Sequence, residues 1–200
     1  MSDRLITGKG DAEQTGRLIG ILRATPSLMQ VLSIARTLDL PEWLLFSGAV
    51  YQPVLNHLTG RAPDYGIKDY DLAYFDGSDL SYGGEDMVIR RVAAAFDEPL
   101  RHMVQVRNQA RVHVWFEDKF GESYTPLSAT AEALERFASP LFAVGVRLEP
   151  NGQLHIEAPS GLTDLFGLRL RPNTRRRVSN FARIAAEVVE RWPELVVEYG

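Results

Sequence analysis

The chain has 200 residues, 45% of them hydrophobic and 24% charged, and carries a net charge of −4, which is an ordinary globular composition with enough length for one sizeable core or two small ones. The absence of cysteine excludes disulfides, thiolate zinc sites and cysteine nucleophiles, and the acidic balance argues against a broad nucleic-acid-coating surface while leaving room for a local basic site. No apolar run reaches the roughly 18 residues of a membrane span, and the polar start Met1-Ser2-Asp3-Arg4 is not a signal peptide, so a cytoplasmic protein without a membrane partner is expected. The pattern from Asp11 to Arg23 is helical, with Leu18, Ile19, Ile21 and Leu22 apolar. Thr25-Pro26 reads as an N-cap followed by proline at the first helical position, opening a second helix that stops before Pro41. Trp43-Leu44-Leu45-Phe46 is a short buried-strand run. Ser47-Gly48-Ala49 breaks it, and Val50 to Leu58 reads as a helix ended by Gly60, with Pro53 tolerated in or near the first turn.

A loop from Arg61 to Ile67 leads into an acidic strand around Asp69 to Phe75. Gly77 to Gly84 is rich in turn residues. Glu85 to Phe96 reads as a helix with Met87, Val88, Val92 and Ala95 inward, and His102 to Val106 as a strand. Asn108 to Phe120 leans to helix, because Asn108 can cap it and Gly121 can end it. Ser128 to Phe137 is helical in pattern. Phe142 to Leu148 and Gln153 to Ile156 flank Asn151-Gly152, a hairpin signal. Leu168 to Leu170 adds a strand, and Thr174 to Arg191 a terminal helix. There is no internal repeat and no low-complexity linker. The order predicts an α+β (mixed α/β) protein, one domain over 1–200 with a core about 25–172 and a terminal helix over 174–191.

The chemistry concentrates in Lys68-Asp69-Tyr70-Asp71-Leu72. On a strand, residues two apart share a face. Asp69 and Asp71 therefore point the same way and repel each other unless a cation sits between them. A hard divalent ion such as Mg²⁺, or Mn²⁺, suits such a pair and keeps positions open for phosphate oxygens. Upstream, Gly48 at a strand-to-helix turn lets the backbone approach a ligand, and the helix start offers free N–H groups to a phosphate. Ser47, Gly48 and Ala49 are thus the expected seat of a triphosphate, and Asp69 and Asp71 the expected catalytic and metal-binding residues. Asp76, five positions past Asp71, reads as a turn residue rather than a third ligand.

At these residues the chain resembles the nucleotidyltransferase superfamily that includes DNA polymerase beta. Phe46-Ser47-Gly48-Ala49-Val50, Leu55, Leu58-Thr59-Gly60-Arg61 and Asp69-Tyr70-Asp71-Leu72 are similar to the head of CCA-adding enzymes. Over roughly residues 25 to 195 the chain resembles a bacterial nucleotidyltransferase-like family, through Asn108-Gln109-Ala110-Arg111-Val112-His113, Ala143-Val144-Gly145-Val146-Arg147, Ala158 to Phe166 and Leu170-Arg171-Pro172-Asn173. The resemblance implies a nucleotidyltransferase fold, a small mixed sheet flanked by helices. It also implies transfer of a nucleoside monophosphate from an NTP to a hydroxyl acceptor with Mg²⁺. The acceptor is left open between a small molecule, an RNA and a protein, and so is the oligomeric state. Two departures stand out: Ala49 follows Gly48 where glycine or serine is usual, and Tyr51-Gln52 stands where CCA-adding enzymes carry an arginine–aspartate pair. The superfamily's third carboxylate is missing from His102–Val106; Glu157, Asp164 and Glu117 are the candidates elsewhere.

These departures keep two other functions open, a nucleotide- or partner-binding module without turnover and a toxin–antitoxin-type transferase. Lys68 and Arg111 are candidate phosphate contacts, each weighed against an ordinary ion pair. The run Arg169, Arg171, Arg175-Arg176-Arg177 is a candidate polyanion contact, because three arginines at a helix start oppose its dipole. Tyr65, Tyr74 and Tyr82 can stack on a base or pack in the core. His113 reads as a core-edge histidine, and His57 has no evident partner.

Overall fold

The computed structural model describes residues 9–176 and 178–199. Two helices come first, α1 (Lys9–Arg23) and α2 (Pro26–Thr37). Proline opens α2 as expected, but Thr25 does not cap it with its side chain; the hydroxyl instead donates back to the carbonyl of Ile21 at 3.1 Å. Neither of these nor any other single described helix is long and apolar enough to cross a membrane.

Five strands build the sheet: β1 (Leu44–Phe46), β2 (Tyr70–Tyr74), β3 (Val104–Asn108), β4 (Gly145–Leu148) and β5 (Leu154–Glu157). They lie in the order β3-β2-β1-β4-β5. β2 and β3 run parallel and the other neighbours antiparallel. All three β1 residues are buried, because both faces of the central strand are covered. Leu45 belongs to the main core with Leu22, Leu32, Val50 and Leu55. Leu44 and Phe46 point the other way, into a smaller cluster with Ala73, Leu127 and Leu134. Asp71 is in register with Phe46, so it lies on that second face, which its small apolar layer only partly covers. The hairpin from β4 to β5 turns at Asn151-Gly152 as the sequence predicts: Gly152 takes a φ of 81°, the left-handed region open to glycine.

The chain after β1 enters α3 (Gly48–Leu58) directly. Pro53 is the helix's sixth residue, in the second turn rather than the first, and denies the carbonyl of Ala49 its usual donor. Helix α4 (Tyr82–Ala95) starts before Glu85, because the Ser81 hydroxyl accepts from the Gly84 N–H at 3.1 Å. Met87, expected inward, is 68% exposed, and Glu85 is buried in its place. His102 lies in the short α5 (Leu100–Met103), so the strand expected at 102–106 begins at Val104 and extends through Asn108. The Asn108 side chain caps the turn that follows by accepting from Ala110 N–H at 3.1 Å. Helix α6 (Val112–Phe120) then ends on left-handed Gly121, as predicted. The helix expected over 128–137 is a tighter 3₁₀ segment, Thr130–Arg136.

After the short α7 (Thr163–Phe166), β6 (Arg169–Leu170) pairs in parallel with β7 (Val196–Val197). The terminal helix α8 (Phe181–Arg191) starts seven residues later than expected. Residues 173–176 are held in another conformation by side chains. The Asn173 amide donates to the carbonyls of Glu135 and Phe137 at 2.9 and 2.8 Å. Arg175 and Arg176 pair with Glu135 and Glu122 at 3.2 and 2.8 Å. The predicted arginine cluster at a helix start is therefore absent for these two, and Arg177 lies outside the described residues. Arg169 and Arg171 are likewise paired, with Glu198 and Asp164, each at 2.8 Å.

Candidate active site

The site forms where β1 ends. Ser47 adopts φ 66° and ψ −147°, a combination populated essentially by glycine and costly for any residue with a Cβ. Such strain persists only where surrounding structure enforces it. Here the turn must pass from the central strand into α3 within one residue. Ser47 takes the N-cap position, yet its side chain makes no capping bond. Its carbonyl accepts from the N–H groups of Val50 and Tyr51 at 3.0 and 3.2 Å. The N–H groups of Gly48 and Ala49 precede those bonds and have no acceptor within the helix, at its positive end. Ser47 thus holds a backbone conformation that favours glycine, and Ala49 is buried in the first turn of α3.

Asp71 faces this turn from β2. Phe46 is its partner on one side and Gln105 on the other. Asp69 lies one residue before the strand begins. The Asp71 carboxyl is pushed up to about 6, first by burial and then by the charge of Asp69; a hydrogen bond from Ser47 and the charge of Arg107 act against that rise. The two carboxylates therefore feel each other, and Ser47 holds the Asp71 carboxyl down against that repulsion. Tyr51 lies in the same field. Burial raises its phenol most; the Gln52 side chain and Arg191 oppose the shift, and Asp69 and Asp71 add to it. A cavity of about 290 Å³ opens beside Ser47, lined by Tyr51, Phe142, Ile184 and Arg191. A larger one of about 910 Å³ lies over β5, between Arg136, His155 and Glu157, and contains neither aspartate.

The segment that delivers Asp69 is tied down by one buried amide. Asn56 on α3 donates to the carbonyls of Pro63 and Tyr65, both at 2.9 Å, and Arg191 donates to the carbonyl of Gly66 at 3.3 Å.

The chain matches a nucleotidyltransferase family over residues 33–197. It belongs to that family. No curated protein matches it. Among solved structures, an NMR structure described as revealing a CCA-adding enzyme head domain superimposes with a TM-score of 0.73. The two share 21% identity over 92% of this chain and 95% of that one, a likeness of fold. The mixed five-stranded sheet flanked by helices is thus a nucleotidyltransferase fold, and the resemblance seen in the sequence holds.

Within this nucleotidyltransferase fold, the structure brings Ser47, Gly48, Ala49, Asp69 and Asp71 together. Lys68 is exposed beside them. Arg111 is committed elsewhere: it is buried in an ion pair with Glu85, and its Nε donates to the carbonyl of Leu80 at 2.8 Å. None of the three candidate third carboxylates joins the pair. Glu157 bonds His155 at 2.7 Å, Asp164 pairs with Arg171 at 2.8 Å and Glu117 is exposed on α6. The position on β3 that pairs with Asp71 holds Gln105. Among the described residues no group of three or more histidines, aspartates and glutamates is placed to hold a metal ion. Sequence reasoning missed Arg107, Tyr51 and Arg191. Arg107 was findable, since it is two residues beyond Gln105 and shares its face once the strand is placed at Val104–Asn108.

Proposed function

We propose that this nucleotidyltransferase moves a nucleoside monophosphate from an NTP to a hydroxyl acceptor. The observation that carries the reading is the convergence of Asp71, Asp69 and the strained Ser47-Gly48 turn at the end of β1. The triphosphate tail fits the free N–H groups of Gly48 and Ala49, which hold leaving-group charge at a helix start. The acceptor oxygen bonds to the α-phosphorus as the bond from that phosphorus to the bridging oxygen breaks. Pyrophosphate departs with the electron pair. The hydroxyl proton is lost to water, because β3 carries Gln105 where a basic carboxylate would stand.

The donor set fits a divalent cation. Two hard carboxylates lie two residues apart at the start of β2, and the charge of one raises the pKa of the other, a repulsion that a cation relieves. Asp69 and Asp71 would hold Mg²⁺ or Mn²⁺, which when bound neutralises phosphate charge. Reactions of this kind depend mainly on positioning and charge stabilisation, so few side chains suffice.

The test is Mg²⁺-dependent NTP consumption with pyrophosphate release, measured for the wild type and for Asp69→Ala combined with Asp71→Ala. The double variant is expected to be inactive and folded; consumption at the wild-type rate would overturn the reading. One observation favours a second reading, a nucleotide-binding module without turnover: Gln105 beside Asp71 leaves the acid set at two. Calorimetric NTP binding without pyrophosphate release would establish it.

A further inference from the structure

The sheet ends at β3 on one side and at β5 on the other. At β5 the register turns main-chain groups outward. The Glu149 N–H donates to the Gln153 carbonyl at 2.8 Å, which makes these two a hydrogen-bonded pair. Bonded and open pairs alternate along an antiparallel ladder. Arg147–His155 and Gly145–Glu157 are then bonded across the hairpin, whereas Leu148–Leu154 and Val146–Ile156 are open. The N–H and C=O of Ile156 therefore point away from β4, and among the described residues no strand pairs with that side. An edge of this kind is a template for another strand, and proteins commonly blunt it with lysine or proline. Leu154-His155-Ile156-Glu157 contains neither.

The cavity of about 910 Å³ lies along this edge, with His155, Ile156 and Glu157 in its lining. Its other walls are Asp11, in the first turn of α1, and Glu132 and Glu135 of the 3₁₀ segment. Helix α1 packs on the main core through Leu18 and Leu22, and the 3₁₀ segment on the second face through Ala133 and Leu134. The edge therefore lies between two walls, and the side chains of an added strand would alternate between them. The lining is acidic. Asp11, Glu132, Glu135 and Glu157 stand against one guanidinium, Arg136. Arg175 balances Glu135 from outside the cavity, at 3.2 Å, which still leaves carboxylates in excess. An acidic slot along an unpaired edge selects a strand that carries cations. It repels phosphates, and it repels a second copy of this chain, whose own β5 would bring the same carboxylates.

We infer that β5 docks an extended segment of a partner protein rich in lysine or arginine, added to the five-stranded sheet as a further strand. Its main chain pairs with Ile156. Its basic side chains meet Glu132, Glu135 and Glu157 on one side and Asp11 on the other. Strands β1 and β4 separate β5 from β2 and Asp71, so this docking stands apart from the transfer reaction.

The experiment is fluorescence anisotropy with a fluorescein-labelled octapeptide that alternates lysine with threonine, together with hydrogen exchange of the Ile156 amide followed by NMR. The wild-type chain is expected to bind the peptide, more weakly as salt rises, and the bound peptide to slow exchange at Ile156. The same peptide with every backbone amide methylated keeps its charge and loses its donors; it is expected to bind about tenfold more weakly. A peptide with glutamate in place of lysine is expected not to bind. Glu132→Gln combined with Glu157→Gln is expected to weaken binding about fivefold. Both side chains are partly exposed, so the double variant keeps its fold, and the peptide comparison needs no variant at all. No binding of the lysine peptide, equal binding of the methylated or the glutamate peptide, or unchanged exchange at Ile156 in the saturated complex would overturn the inference. An Ile156 amide already protected in the free monomer, or protected by dimerisation of the chain, would overturn it too, because the edge would then be occupied.

Discussion

Trp192 and Asn56 meet in a hydrogen bond, indole Nε1 to amide Oδ1 at 2.9 Å, with neither side chain exposed to solvent. The other end of the Asn56 amide holds the carbonyls of Pro63 and Tyr65. One side chain therefore joins α3, the residue after α8 and the loop that leads to Asp69. Asn56→Ala would leave an indole N–H and two carbonyls without partners, each at a cost of about 1–3 kcal/mol where water cannot replace the lost bond. The loss expected in urea unfolding is about 2–4 kcal/mol. Faster amide exchange in residues 61–69 should accompany it. A stability within 0.5 kcal/mol of the wild type, roughly the level of a neutral surface change, would show that Asn56 is not the tie.

Asp71 gives a stability effect of opposite sign. Its folded carboxyl titrates near 6 against 3.8 for the free group. From about pH 4 to 6 the folded chain keeps a proton that the unfolded chain has released, so stability falls as pH rises through that window and the deficit persists above it. Asp71→Asn removes the charge. In the presence of a chelator the variant should be more stable than the wild type at pH 7.5 by about 1–3 kcal/mol, with the difference vanishing near pH 4. Equal stabilities at both pH values would refute the burial of this charge.

The parts of this fold that could be read in the sequence are those fixed by local chemistry. Asn151-Gly152 admits few backbone conformations, and Pro26 and Gly121 mark helix ends by the same logic. Ser47-Gly48 was visible as the break between an apolar run and a helix, and Asp71 as a carboxylate on the strand that follows. What escaped was set by distant partners. The start of α8 depends on Asn173 reaching the carbonyls of Glu135 and Phe137, more than thirty residues away. Met87 lies outward because buried Glu85 must meet Arg111 on the inner face of the same helix. Arg191 approaches Tyr51 only after α8 has docked, and neither spacing nor propensity announces that encounter.

Ser47 lends itself to a comparison of two substitutions. Its conformation belongs to glycine and costs a residue with a Cβ about 1–3 kcal/mol. Ser47→Gly should relieve that strain and raise the melting temperature, while removing the hydroxyl that holds the Asp71 carboxyl down. The Asp71 titration, followed by carboxyl carbon chemical shifts, should then move above 6. Ser47→Val adds a branched Cβ in the same conformation and should lower the melting temperature below the wild type. A melting temperature for Ser47→Gly equal to that of Ser47→Val would mean that the turn carries no strain.

Glu85 and Arg111 test the scaffold at the end of β3. Both are buried, at 5% and 6% exposure, and they pair with each other. The second Glu85 oxygen accepts from the Asn108 N–H at 2.9 Å, which anchors the end of β3 to α4. Removing one partner leaves a buried charge with nothing to neutralise it, so Glu85→Ala or Arg111→Ala should cost about 3–5 kcal/mol in urea unfolding. Replacing both with methionine removes the two charges together and should recover most of that loss, since buried ion pairs are often no better than apolar residues of similar volume. Recovery would be incomplete, because the Asn108 N–H would still lack an acceptor. A double variant as unstable as the sum of the two single changes would show that the side chains act independently and that the pair is not a unit.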